Sequence, residues 1–434
     1  MLRPMTDATG YPRKKIFVLS SLALFTAGLS FALRAAIIAA IEVEVLREID
    51  PAHSDALAGE LLGTAFGGFA LTLFLGSVFL ERIGMGRSIL LCAICFAAGT
   101  GVAVSASTLA SGAGVFDLLR AGFLLSGLGW GFMEASVNPL TAALYPDDKT
   151  SRLNVVHAWW PAGLIAGTLV ALTAAEMGIG WRGQFAFVIL PALGCMYLYV
   201  GTAFPSTERA AMGASMGDMF REIPKSPMFI VLWLCMLLTS AAELAPNQWF
   251  DFALTKSIGI RGAWIVVYVS AMMFVFRHFA GPIAHRLSNM TILCGSAVLA
   301  VIGLWILPYA DSALTGLLAA TVWGLGVCFM WPTMLANVSE RYPRGGELFI
   351  GLMGVAGAIS TQYVLPALGG ITGATKRELA GSAEAFAALH PSAQAPILQS
   401  ANQAAFHTLA FYVAALIFIF GAIALFERKK PADT

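Results

Sequence analysis

Long apolar runs alternate with short polar breaks along the whole chain, at about 16–41, 59–80, 88–108, 115–144, 153–177, 183–204, 228–250, 262–284, 290–309, 313–338, 346–371 and 404–426. Each is long enough to cross a hydrocarbon layer of about 30 Å as a helix. Only two breaks are sizeable. Pro205 to Pro227 holds Arg209, Arg221 and Lys225, as expected of a linker between two halves, and Thr372 to Gln403 reads as a short surface helix plus loop. The pattern therefore predicts an all-α membrane protein of twelve transmembrane helices in two six-helix bundles, residues 1–204 and 228–434, joined by 205–227.

Polar residues inside the apolar runs carry the functional information, because an ionisable group in hydrocarbon is costly and is kept for use. The fourth run contains Gly127-Leu128-Gly129-Trp130-Gly131-Phe132-Met133-Glu134, followed by Asn138 and Pro139. Glu134 and Asn138 are four residues apart and share a helical face, while Pro139 removes a backbone donor and should interrupt the helix. The Gly-Leu-Gly-x-x-Phe-Met core recurs at Gly324-Leu325-Gly326-Val327-Cys328-Phe329-Met330, and Tyr145-Pro146 recurs at Tyr342-Pro343, both at an offset of 197 residues. A constant offset at two separated places implies duplicated halves. Trp331 takes the place of Glu134 in the second copy.

Composition narrows the class further. With 58% hydrophobic and 12% charged residues the chain is too apolar for a soluble domain, and a net charge of +1 gives no footprint for nucleic acid. The six cysteines all lie in apolar runs and read as small buried hydrophobes, so neither a disulfide set nor a metal site is expected, and no cofactor. No metal-binding histidine set, nucleophile elbow or phosphate loop is present, which argues against an enzyme. With the N-terminus inside, the inner segments hold 17 Lys and Arg against 6 outside, placing both termini in the cytoplasm of a cell (inner) membrane.

The turn after the second run, Glu81-Arg82-Ile83-Gly84-Met85-Gly86-Arg87, resembles the signature loop of the major facilitator superfamily, with Glu81 where Asp is usual. Gly281 to Arg286 is a weaker echo of it. The resemblance, with twelve runs and duplicated halves, implies secondary active transport by alternating access, with Glu81, Arg82, Arg87 and Arg286 as gating charges. More narrowly, Glu134-Ala135-Ser136-Val137-Asn138-Pro139, with Tyr145-Pro146-Asp147 and Arg152-Leu153-Asn154, is similar to the fucose/galactose-proton symporter branch. That resemblance implies Glu134 as a proton-accepting or sugar-binding carboxylate and Asn154 as a polar group of the cavity. Where that branch has an aspartate in its first span, this chain has Arg34.

The remaining candidates follow from residue type and place. Arg34, deep in the first run, either tunes Glu134 or Glu243, binds an anionic group, or snorkels outward. His157, three residues beyond Asn154, titrates near neutrality and is a candidate proton relay with Glu134 and Arg34. Glu243 and Asn247 repeat the i, i+4 acid and amide of the fourth run, with Pro246 expected to break that helix. Trp160 and Trp331 could stack on a sugar face, and Gln362 is a further polar contact. Together these predict a carrier of a monosaccharide or similar small polar solute, coupled to protons or sodium, with the lipid bilayer as its only other partner. The competing expectations are an exporter or organic-anion carrier with Arg34 on a carboxylate, and a non-transporting sensor.

Overall fold

The computed structural model describes residues 10–50, 54–213, 215–258 and 262–428, and among these the secondary structure is helical. The chain divides into two compact units: one gathers the chain up to Phe229 together with Val338–Ala358, the other holds Ile230–Asn337 and the chain from Ile359 onward.

In the first unit α1 (Arg13–Ile41) continues through a π-helical turn, Glu42–Leu46, to Ile49. Then come α2 (Ser54–Ile83), α3 (Met85–Leu109), α4 (Ala113–Leu144), α5 (Lys149–His157), α6 (Trp159–Glu176), α7 (Trp181–Ala186) and α8 (Ile189–Tyr199). The segment expected as a linker carries a turn of helix at Glu208–Ala211 and then α9 (Met216–Glu222), whose start is fixed by a reciprocal cap between Ser215 and Asp218; it belongs to the first unit. The second unit takes up α10 (Pro227–Ile258), α11 (Gly262–His278), α12 (Asn289–Ile306), α13 (Ala313–Val327), α14 (Met330–Arg341), α15 (Gly346–Ala380) and, after a short helix at Ala383–Ala388, α16 (Pro391–Arg428). The ends of α14 and α15 that face each other along the chain belong to the first unit.

Ten helices among the described residues are long and apolar enough to span a membrane. The other two expected runs are helical but interrupted. The sixth divides between α7 and α8, and the eighth between α11 and a short helix at Ala280–Ala284. Pro191 and Pro282 sit just past the two breaks, where a missing N–H would otherwise have bonded back across them. The segment expected as a short surface helix plus loop, 372–403, is instead largely helical: α15 runs on to Ala380 and α16 begins at Pro391.

The duplicated glycines perform one packing task twice. A Cβ on Gly127 would strike the Ala65 carbonyl of α2, and one on Gly129 would approach Cys92 O of α3 at 2.9 Å. Their counterparts Gly324 and Gly326 sit against Met272 of α11 and the Ala300 backbone of α12. In each half a glycine-bearing helix presses its backbone onto its two predecessors, as small residues allow where no hydrophobic drive holds helices together. Gly84, at φ 85°, makes a one-residue turn between α2 and α3 that a side chain would strain.

Gly326→Val should therefore sharply reduce the yield of monodisperse protein in detergent, measured by fluorescence-detected size exclusion. Gly295→Val, on the same bundle but with open space around its Cα, should not.

Candidate functional site

Glu134, Asn138 and His157 form one connected polar chain in the first unit. All three side chains are buried. Asn138 Nδ2 donates to Glu134 Oε1 at 3.0 Å and to the Glu134 carbonyl at 3.1 Å, and His157 Nε2 lies 2.7 Å from Asn138 Oδ1. An amide oxygen only accepts, so His157 must donate through Nε2–H. The break between α5 and α6 at Ala158, one turn before the ring of Pro161, ends the α5 helix at His157. Pro139, expected to interrupt its helix, lies inside a continuous α4. Gly354 of α15 closes over the carboxylate, since a Cβ there would meet Leu73 Cδ2 at 2.6 Å and Glu134 Cγ at 3.8 Å.

One turn before Glu134, Trp130 is the centre of an aromatic layer that sequence reasoning did not single out. Its ring stacks with Phe69 (4.0 Å between centroids) and with Trp160 (5.1 Å), while Phe31 and Phe66 approach at 5.9 and 5.8 Å. Trp160 is thus a member of a ring cluster and only half-buried. Arg34, one turn beyond Phe31 on α1, is 4% exposed, so it does not snorkel. Asn154 is buried and donates Nδ2 to Thr150 O at 2.8 Å.

The second unit has its own polar core. Glu243 Oε1 pairs with Arg277 Nη2 at 3.0 Å, both side chains being buried, while Asn247 Nδ2 donates to the Glu243 carbonyl at 2.9 Å. Glu243 Oε2 and Asn247 Oδ1 are buried without a hydrogen-bond partner. Pro246 does not break α10 as expected. Its missing N–H frees the carbonyl four residues earlier, on Ala242, and Trp323 Nε1 fills that place at 2.9 Å. Pro332 likewise frees Cys328 O, which accepts from Arg277 Nε at 2.6 Å. Arg277 thereby joins three helices, a role its position near the end of the eighth run did not suggest. Trp331 is half-buried and Gln362 exposed.

At the linker end, Arg209 donates to both Glu81 and Glu347, the latter at 3.0 Å. Burial works against the Arg209 charge, but the Glu81 hydrogen bond and the Glu347 carboxylate outweigh it and hold the guanidinium above its ordinary pKa. Around this bridge, Lys149 pairs with Glu208 at 2.9 Å, Thr150 bonds Glu340 at 2.9 Å, and Met219 of α9 is buried between Val78 and Leu348. Of the four residues expected as gating charges, Glu81 takes part; Arg82 lies over the Phe79 ring, and Arg87 and Arg286 are exposed. Arg209 and Glu347 carried no signal in the sequence, being 138 residues apart with neither in a recognisable motif.

A helical membrane protein with buried charge pairs and a polar chain at proline-marked helices is built as membrane transporters are. The family model of the Major Facilitator Superfamily matches residues 16–362, and the chain belongs to that superfamily. It is similar to a protein of Bacillus subtilis (strain 168) named as a niacin/nicotinamide transporter, 23% identical over 182 residues, 39% of this chain and 43% of that one. It is also similar to plastidic glucose transporter 4 of Arabidopsis thaliana, 24% identical over 244 residues, 54% of this chain and 41% of the relative. The chain thus spans about two fifths of the length of these curated relatives. Among solved structures it resembles the E. coli fucose:proton symporter, with a TM-score of 0.67, 14% identity and coverage of 93% and 98% of the two chains. The proton:xylose symporter bound to a bromodeoxyglucose gives 0.70, 14%, 95% and 96%, and a human organic anion transporter 0.71, 14%, 94% and 99%. At these identities the likeness is one of fold.

Two outcomes test the buried pairings. Arg209→Ala strands a buried Glu347 and should destabilise the protein by about 3–5 kcal/mol, whereas Glu81→Gln, at a half-exposed carboxylate, should cost far less; thermal unfolding in detergent separates them. Trp323→Phe removes the donor to Ala242 O along with part of a fully buried indole, the lost hydrogen bond alone costing about 1–3 kcal/mol. That cost should shrink in a Pro246→Ala background, where the helix supplies its own N–H.

Proposed function

We propose that this protein is a secondary active transporter that carries a small polar organic solute by alternating access, coupled to protons through Glu134. The observation that carries the proposal is the Glu134–Asn138–His157 chain: a carboxylate and an imidazole, buried in the first unit and joined through one amide. Loading Glu134 from one side removes its negative charge, and emptying it on the other restores that charge. Asn138 holds the carboxylate at one end and the His157 Nε2–H at the other, so a proton change at either residue alters the bond made by its neighbour. The residues assigned to the solute are Asn154, Trp160, Glu243, Asn247, Trp331 and Gln362. The unpartnered Glu243 Oε2 and Asn247 Oδ1 support the two in the second unit, as acceptors with nothing yet to accept. Glu81, Arg209 and Glu347 serve as the lock at the linker end, on the cytoplasmic side with both termini, a reading supported by the excess of Lys and Arg in the segments assigned there. The structural neighbours that carry fucose and xylose favour a monosaccharide. Arg34 favours an anion instead.

The test is uptake into proteoliposomes of labelled monosaccharides and labelled carboxylates, across a pH gradient and separately across a sodium gradient. Accumulation driven by the pH gradient is expected. Glu134→Gln should abolish it while leaving solute exchange. Accumulation unchanged in Glu134→Gln refutes the coupling role, and accumulation driven by sodium alone refutes the proton.

A further inference from the structure

Three arginines are buried among the described residues, and two of them are accounted for: Arg209 by Glu81 and Glu347, Arg277 by Glu243 and the Cys328 carbonyl. Arg34 is different. It is 4% exposed, makes no hydrogen bond or ion pair with any described residue, and its Nη1 is sealed from solvent without an acceptor. A guanidinium stays charged under any physiological condition and presents a rigid fork of donors matched to a carboxylate. A buried cation of this kind lacks its counter-charge.

Its surroundings define what that counter-charge is attached to. Ser30, one turn earlier on the same face of α1, has a fully buried Oγ that is also without a partner. Phe31 lies between them and leads into the aromatic layer, 5.5 Å from the Trp160 ring and 6.3 Å from Phe66. Phe31, Phe66 and Trp160 are each only half-buried, so they retain apolar surface to cover. The array offers one fixed positive charge, one hydroxyl and a wall of rings. A sugar, with hydroxyls around its whole edge, would leave most of them unmatched here; a carboxylate on a flat apolar body would not.

We propose that Arg34, with Ser30, binds the carboxylate of an organic monoanion whose apolar body packs on Phe31, Phe66 and Trp160. The proposal rests on the transport reading and names its substrate class. Because α1 and α4 run in opposite directions, Arg34 and Glu134 lie on either side of the aromatic layer, about 10 Å apart along the helix axes at 1.5 Å per residue. A monoanion on Arg34 and a proton on Glu134 would each cancel one fixed charge, so anion and proton cross together with no net charge moved.

The experiment is equilibrium binding to the purified full-length protein in detergent, at fixed pH and without a gradient, with benzoate as the probe and benzamide as its neutral isostere. Wild type should bind benzoate about tenfold or more tighter than benzamide. Arg34→Met should erase that difference, and Arg34→Lys, a point charge without the fork, should keep part of it. Thermal melting of the ligand-free protein distinguishes a binding role from a packing one: with no partner to strand, Arg34→Met should melt at or above the wild-type temperature. Equal binding of benzoate and benzamide, full benzoate binding by Arg34→Met, or an empty Arg34→Met protein that melts well below wild type would each overturn the proposal. So would D-xylose binding that survives Arg34→Met in a protein blind to benzoate. None of these results bears on coupling by Glu134, which is read only under a pH gradient.

Discussion

Inside hydrocarbon a backbone carbonyl has no water to turn to, and every proline placed in a spanning helix releases one. In the second unit this constraint organises the interior. Ala242 O, freed by Pro246, takes the Trp323 indole N–H, and Cys328 O, freed by Pro332, takes Arg277 Nε. Because Arg277 also reaches Glu243, the charge pair and the backbone repair share one side chain. The helices holding Glu243, Arg277 and Trp323 are thus tied together at the places where their own ladders are incomplete.

The first unit meets the cost of burial differently. Its acid accepts from an amide whose other end meets an imidazole, and rings fill the turn above it. Glu134 Oε1 accepts from an uncharged amide. Glu243, set against Arg277, is in the opposite situation. The two acids are therefore held differently, and the difference follows from their partners.

Much of this was legible from residue order. Run length and the 197-residue offset define twelve helices and a duplicated plan, and the repeated glycines have matching packing roles. Glu134 and Asn138 could be paired from helical spacing, and His157 was named as a relay candidate. Two kinds of feature could not be seen. Prolines 139 and 246 looked like breaks, since a sequence does not show that neighbours will hold the helix together or, at 246, satisfy the freed carbonyl. Contacts such as Arg209 with Glu347, or Arg277 with Glu243, depend on packing across 138 and 34 residues, and neither leaves a local pattern.

The Asn138 side chain has a donating end toward Glu134 and an accepting end toward His157. Turned end for end it would present oxygen to the acid and NH2 to the ring, an arrangement that needs a hydroxyl on Glu134 and a bare lone pair on His157, and that forfeits the bond to the Glu134 carbonyl. Amide polarity and proton address are consequently a single variable. Like a compass needle between two poles, this one side chain records which of its neighbours holds the hydrogen.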